Sequence, residues 1–335
     1  MENRLVQAVD YAQTVSKNLA ELMSMQYGKQ FFTLPNCEPL RDTVTLVRRE
    51  TTADDAGNCI FLFLGAFAPR RGIDLLIRAW PQTHQKAVLH LRGVDNEEKR
   101  KMMELAKALG LLDHRIFFPA AVAESDLVDA ASRAHVGLIP YTPHGLCYRH
   151  CCPNKLSQYM AAGIPIIANK LDFVESILTE AKCGVSVDFS NKDVLASTIN
   201  RYTNNREQRK VEGELASQYY RSRFNWQAMS GGFYKQLETL TASPQPTQFQ
   251  VYGELRAAHV SSGDLEDRSK KMELRQRLIE FNRTVAAPES VSSALGMAVF
   301  FAARRVWRML PEEVRFKLGP KVKRYTKNTN LPYGA

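Results

Sequence analysis

Short apolar runs alternate with amphipathic segments through the middle of the chain. The clearest run is CIFLFL at Cys59–Leu64, which is closed by a glycine, as expected of a buried parallel strand. Further strands are predicted at 87–91, 116–118, 136–140, 165–168 and 185–188, and helices at 73–80, 97–109, 124–134, 154–162 and 193–200. Strand–helix repetition at this spacing predicts an α/β fold with a doubly wound parallel sheet.

The two ends of the chain follow different patterns. Residues 3–27 are predicted to form one amphipathic helix, with a short strand at 30–35 and a polar linker at 41–58. After the SPQPT break at 243–247, two helical patterns follow without any strand pattern. The predicted organisation has three parts: a helix, strand and linker at 1–50, the sheet domain at 51–240, and a linker with a basic helical tail at 241–335.

Composition indicates an ordinary globular chain. Of its 335 residues, 44% are hydrophobic and 24% charged, which does not fit a disordered protein. No segment approaches the roughly 18 consecutive apolar residues of a spanning helix, and the first residues lack the pattern of a secretory signal. Six cysteines in a chain of this length do not indicate a disulfide framework. We therefore expect a reducing, cytoplasmic setting.

Most of the positive charge lies in the tail. The net charge is +10, and segment 304–327 holds nine lysines and arginines against Glu312 and Glu313, a surplus of seven. The helix predicted near 291–310, which overlaps this segment, also carries aromatic residues such as Phe300 and Trp307. A basic amphipathic segment at 291–327 suits an anionic membrane surface, which would make the protein peripheral on the inner face of the membrane. The equally weighted alternative is a helix packed on the domain, whereas no recognised module supports nucleic-acid binding.

Loops that leave the carboxyl ends of the strands carry the candidate chemistry. The loop at 65–72, GAFAPRRG, places Arg70 and Arg71 between glycines just before a helix, where guanidinium and backbone N–H groups suit a diphosphate. A surface turn with two solvated arginines is an equal alternative if the loop is taken alone. The loop ending at Ala121 is placed to lie against a flat base, although a plain connection is favoured without context.

A second loop enters a helix at PNKL. Pro153 and Asn154 lie at the amino end of this helix, where free N–H groups and the dipole favour phosphate. Lys155 adds a positive charge, and Gln158 lies one turn further on the same face. The preceding run contains soft metal ligands, namely His144, Cys147, His150, Cys151 and Cys152. Because their spacing matches no common closed set, a loop over the donor pocket is favoured over a metal site. Cys37, Cys59 and Cys183 are interpreted as buried thiols.

Together, these segments resemble the carboxyl-terminal, Rossmann-like domain of retaining GT-B glycosyltransferases of the GT4 type. The resemblance runs from about residue 8 to about 234 and includes FFTLPN at 31–36, PNKLSQYMAAGIPIIAN at 153–169 and KCGVSVDFSNKDVLASTIN at 182–200. It implies a nucleoside-diphosphate sugar as co-substrate, with no obligatory metal and no cofactor. The donor-site residues that it indicates are Gly65, Arg70, Arg71, Ala121, Asn154, Lys155, Leu156 and Gln158.

This sequence departs from the family's pattern at three positions. Ala66 stands where an arginine usually follows the first glycine, and His150 and Gln158 stand where the family has a Glu-x7-Glu pair. In the family, the second of these carboxylates accepts hydrogen bonds from the ribose hydroxyls. Gln158 can still accept through its carbonyl oxygen. His150 is not equivalent to the first glutamate, so the catalytic residues are not assigned.

The resemblance implies hexosyl transfer to a glycan or lipid-linked acceptor in surface polysaccharide or glycolipid biosynthesis. In the family a separate amino-terminal domain binds the acceptor, and residues 1–36 supply only one helix and one strand. Three interpretations follow: a partner provides that half, the chain is a truncated form, or it no longer transfers sugar. The main alternative is a non-catalytic sugar-nucleotide-binding subunit or scaffold, and an epimerase is a lesser one.

Overall fold

A computed structural model describes residues 6–7, 9–41 and 57–242 of the chain. The predicted linker between these ranges and the predicted helices of the tail lie largely or wholly outside the described residues. The strands are β1 Ala12–Thr14, β2 Phe31–Thr33, β3 Cys59–Leu64, β4 Ala87–Arg92, β5 Ile116–Phe117, β6 Val136–Ile139, β7 Ile166–Ala168 and β8 Gly184–Ser186. The α-helices are α1 Lys17–Tyr27, α2 Ile73–Ala79, α3 Glu97–Ala108, α4 Leu127–Ser132, α5 Gly145–Arg149, α6 Asn154–Ala161, α7 Asp172–Ala181, α8 Lys192–Asn204, α9 Arg206–Ser222, α10 Trp226–Met229 and α11 Gly231–Ala242.

The predicted doubly wound sheet is confirmed. Strands β3 to β8 form one sheet in the order β5-β4-β3-β6-β7-β8, and every neighbouring pair is parallel. The connections reverse direction between β3 and β6, so the loops after these adjacent strands leave the sheet towards opposite sides. Such a switch point opens a crevice at the carboxyl edge of the sheet, which is where ligands bind in this fold.

The prediction of a single helix over residues 3–27 is wrong. Residues 12–14 form β1, which pairs in parallel with β2, and α1 begins only at Lys17. Ser16 starts the helix because its backbone is extended and its Oγ accepts a hydrogen bond from the N–H of Leu19 at 3.3 Å. Gly28 ends the helix in the left-handed conformation. A strand of three residues is too short to show a period that differs from the helical one.

Two apolar layers cover the faces of the large sheet. Alternate residues of β3 point to opposite layers: Leu62 and Leu64 pack with α6, α7 and α9, whereas Phe61 and Phe63 pack with α2 and α8. Three helices were not predicted from the sequence: α5 at 145–149, α7 at 172–181 and α9 at 206–222.

Tyr159 fastens α6 to the middle of the sheet. Its ring is buried, its hydroxyl donates to the carbonyl of Leu62 at 3.0 Å, and the N–H of Leu64 donates to it at 3.1 Å. Gly137 makes room for the ring, since a Cβ at that position would lie 2.4 Å from it. These contacts hold α6 against the middle of the sheet, next to the switch point.

Residues 34–41, called here the connector, run from β2 to the helices that cover the sheet. The amide of Asn36 donates to the carbonyl of Cys152 at 2.9 Å, and the hydroxyl of Tyr220 donates to the carbonyl of Pro39 at 2.5 Å. The connector is thereby bound both to the segment that precedes α6 and to α9.

Candidate functional site

The glycine loop after β3 is held against the loop after β6. Gly72 has φ 66°, and a Cβ there would lie 2.0 Å from the carbonyl oxygen of Pro140, so a side chain would separate the two loops. The N–H and hydroxyl of Thr142 both donate to the carbonyl of Arg70, at 3.3 and 2.9 Å. The two loops predicted to carry the candidate chemistry therefore form one continuous wall of the switch-point crevice.

The two arginines of this loop have different surroundings. Arg70 is exposed and has φ 65°, whereas Arg71 is half-buried. The guanidinium carbon of Arg71 lies 4.1 Å from the ring centroid of Tyr141 and 5.9 Å from that of Tyr148. Its Nε is buried and has no hydrogen-bond acceptor among the described residues. Arg71, and not Arg70, is thus the cation that faces inward.

Lys155 is a buried cation with no carboxylate partner among the residues that the structure describes. The residue is 4% exposed. Its Nζ donates to the hydroxyl of Tyr141 at 2.6 Å and lies 4.9 Å from the ring centroid of Phe63. Burial first, and the positive charge of Arg71 second, hold the pKa of Lys155 well below its usual value. A Cβ on Gly65 would lie 3.3 Å from Nζ, so a side chain at this position would crowd the ammonium group from the loop side.

The amino end of α6 presents backbone N–H groups beside these cations. Pro153 precedes the helix with extended backbone and makes no side-chain cap. The N–H of Leu156 donates back to the carbonyl of Pro153 at 3.0 Å, which leaves the first-turn amides of Asn154 and Lys155 to bind an anion. Asn154 is exposed. Leu156 is fully buried in the core, so its side chain does not face the crevice.

Gln158 is buried one turn further along α6 and pairs with a residue that sequence reasoning missed. Its Nε2 donates to Oε1 of Glu38 at 3.1 Å, and the two residues are 4% and 6% exposed. Glu38 belongs to the connector and lies 120 positions away in sequence, so no local pattern indicates the contact.

The predicted base-side residue, Ala121, is exposed in the loop after β5. That loop is tied to β4, because Nη1 of Arg92 donates to the carbonyl of Ala120 at 2.5 Å. Burial, followed by the charge of Arg133, lowers the pKa of Arg92. Arg92 was not predicted as a site residue, although a cation at the carboxyl end of a parallel strand, followed by a glycine, indicates a candidate ligand-binding position.

The His/Cys run lies in the second loop, from the residue before α5 to the residues before α6, and part of it is buried. His150 is 8% exposed, and its Nδ1 lies 3.4 Å from Oδ2 of Asp172, whose other oxygen pairs with Arg149 at 3.2 Å. Cys151 lies near Arg71 and Lys155, and burial raises its pKa to about 12. Within the described residues no group of three His, Cys, Asp or Glu side chains is placed to hold a metal ion.

Solved structures with the same fold are glycosyltransferases. Sucrose-phosphate synthase from Thermosynechococcus elongatus matches with a TM-score of 0.55 and 23% identity, over 72% of this chain and 61% of that chain. Anabaena HepE in complex with UDP and glucose matches with a TM-score of 0.56 and 15% identity, over 69% of this chain and 64% of that chain. WaaG, a glycosyltransferase involved in lipopolysaccharide biosynthesis, matches with a TM-score of 0.54 and 17% identity, over 67% of this chain and 61% of that chain.

The chain spans less than two thirds of the length of each of these proteins, and at these identities the likeness shows a shared GT-B fold. No curated protein sequence matches the chain. The family model for glycosyl transferases group 1 matches residues 48–218, which is about half of the chain and includes both loops and α6. The chain belongs to the glycosyl transferases group 1 family.

Proposed function

We propose that this protein binds a nucleoside-diphosphate sugar in the switch-point crevice and transfers the sugar to a glycan or lipid-linked acceptor. The observation that carries the proposal is the pair of inward cations, Arg71 and Lys155, beside the uncapped amino end of α6. Two positive charges and two backbone amides suit a diphosphate, which carries matching negative charge and several acceptor oxygens.

The electrostatics of the crevice fit such a ligand. A buried ammonium group without a counter-charge is costly, and the shift in the pKa of Lys155 reflects that cost. A diphosphate would supply the counter-charge and an acceptor for Nε of Arg71. The neighbour HepE was solved with UDP and glucose, which makes UDP the first nucleotide to test.

The proposed mechanism is retaining, with front-face displacement at the anomeric carbon. As the sugar–phosphate bond breaks, negative charge grows on the leaving diphosphate, and Arg71, Lys155 and the α6 amides would stabilise it. The ribose would be held by Gln158, and the base would lie against the loop that ends at Ala121. Arg70, which is exposed, would have at most a peripheral role.

A second candidate is a non-catalytic subunit that binds the sugar nucleotide and needs a partner for the acceptor half. It is favoured by the surroundings of His150, which stands at the family's first glutamate position but is buried against Asp172. This alternative predicts binding of the donor without turnover.

Turnover distinguishes the two candidates. The full chain, incubated with UDP-glucose or GDP-mannose and a membrane extract as acceptor source, is expected to release UDP or GDP and label a glycan or lipid. Lys155→Met should abolish the release. Saturable binding of the same sugar nucleotide with no release of nucleotide, even with added extract, would reject the enzyme in favour of the binding subunit.

A membrane contact through 291–327 belongs to the same proposal, with the acceptor lipid as its reason. That segment lies outside the described residues, among which no helix is long and apolar enough to cross a membrane. The full chain is expected to sediment with phosphatidylglycerol vesicles and not with phosphatidylcholine vesicles. Equal recovery of the protein with both kinds of vesicle would contradict binding to an anionic membrane, and with it a peripheral location on the inner face.

A further inference from the structure

The connector lies directly against the helix that carries the proposed donor site. The N–H of Glu38 donates to Oγ of Ser157 at 3.0 Å, and its carbonyl accepts from the N–H of Trp226 at 2.9 Å. The backbone of Glu38 is therefore fixed on both sides, to α6 and to α10. Because the backbone is fixed and the residue is buried, the carboxylate of Glu38 has a defined position against α6.

This carboxylate determines which way the amide of Gln158 points. A carboxylate only accepts hydrogen bonds, whereas a glutamine amide has a donating and an accepting end. The contact at 3.1 Å therefore requires Nε2 to face Glu38. The acceptor, Oε1, is turned away from the connector, and an amide flip would set two oxygens against each other.

We propose that Glu38 is a positioning residue for nucleotide recognition: by holding Nε2 of Gln158, it presents Oε1 as the acceptor for the ribose hydroxyls. This inference rests on the proposed function, because it assigns the ribose to Gln158. A hydrogen bond from an amide N–H to an anion also polarises the amide and strengthens its oxygen as an acceptor. The Glu38–Gln158 pair thus offers part of the negative character that a carboxylate at position 158 would have.

The same arrangement explains why glutamine suits position 158 in this chain. A glutamate at 158 would place two buried carboxylates about 3 Å apart, and one of them would have to bind a proton or move away. The negative charge instead lies on the connector, and the neutral amide passes its effect to the ligand side.

The test compares ribonucleotides with their 2′-deoxy analogues on the full chain. UDP, GDP, dUDP and dGDP are titrated calorimetrically into the wild type, Glu38→Met and Tyr220→Phe. Tyr220→Phe is the matched control, because it removes a connector hydrogen bond to Pro39 without touching Gln158. Thermal unfolding of each variant shows whether it is folded during the titration.

The wild type is expected to prefer the ribonucleotide by about fivefold, which corresponds to one neutral hydrogen bond. Glu38→Met should bring that ratio close to one, and Tyr220→Phe should keep it even if its unfolding temperature falls. Gln158→Leu should show the same ratio of ribonucleotide to deoxyribonucleotide affinity as Glu38→Met. The double variant, Glu38→Met with Gln158→Leu, should not lower this ratio further. A wild type that binds UDP or GDP, with a ribose preference that survives Glu38→Met, overturns the role of Glu38 alone. No binding of either nucleotide by the wild type overturns the proposed function and this role with it.

Discussion

Nζ of Lys155 lies 2.6 Å from the hydroxyl oxygen of Tyr141, so the buried ammonium group is bound to a neutral partner. Burial also raises the pKa of Tyr141 to about 12, so the tyrosine does not supply a negative charge near neutral pH. A protein that needed a lysine here for stability alone would be expected to pair it with an acid. Lys99, which is also buried, has such a partner in Asp95 at 2.5 Å.

Replacing Lys155 by methionine is expected to stabilise the fold while removing nucleotide binding. Methionine keeps most of the volume and avoids burying an ammonium group, a gain of roughly 1–3 kcal/mol in the free energy of unfolding. Urea unfolding measures this change. A loss of stability would show that the lysine has a structural role that the crevice does not reveal.

The pH dependence of this stability gain follows from the lowered pKa of Lys155. Between the folded pKa and 10.5, the unfolded chain keeps the proton that the folded chain has lost, so wild-type stability rises with pH. The advantage of Lys155→Met should therefore be largest at low pH and shrink towards pH 10.5. Unfolding curves for both proteins across this range test the sign, and an advantage that grows with pH contradicts it.

Nucleotide binding is expected to take up protons. A bound diphosphate favours the charged form of Lys155 and so raises its pKa, which makes binding weaker as the pH rises. Titrations with UDP in buffers of different ionisation enthalpy measure the number of protons. Uptake should be present in the wild type and absent or reduced in Arg71→Met, if that variant still binds, because the charge of Arg71 is one cause of the shift.

The adjacent arginines form a matched pair for mutation. Arg71→Ala is expected to weaken UDP binding by about tenfold or more, since a charge-assisted hydrogen bond is lost. Arg70→Ala, which removes the same charge from an exposed side chain, should change the affinity by less than about threefold. Equal effects from both would mean that the inward orientation of Arg71 is unimportant.

Tyr159→Phe tests how α6 is positioned. Without the hydroxyl, the buried N–H of Leu64 loses its acceptor, and the free energy of unfolding should fall by about 1–3 kcal/mol. The midpoint of urea unfolding shows the change. An unchanged midpoint would mean that the hydroxyl does not fasten the helix to β3.

The sequence predicted the sheet well, because each of its strands is a short apolar run followed by a turn or a helix. It failed at β1, where three residues cannot establish a period, and at the helices α5, α7 and α9, which were not assigned. Of the candidate site, the two loops and the amino end of α6 follow from local chemistry. Tertiary packing, which no local pattern shows, determines the rest: the contrast between Arg70 and Arg71, the inward packing of Leu156 and the contact between Glu38 and Gln158.

The most direct test of the central claim is an equilibrium titration of the full chain with UDP and GDP. Wild type and Lys107→Ala, which removes an exposed lysine from the last turn of α3, are expected to bind one of the two nucleotides saturably and equally well. Lys155→Met should bind neither, although it is folded. Absence of binding by a folded wild type at millimolar nucleotide, or unchanged binding by Lys155→Met, would contradict a donor site built on Lys155 and Arg71.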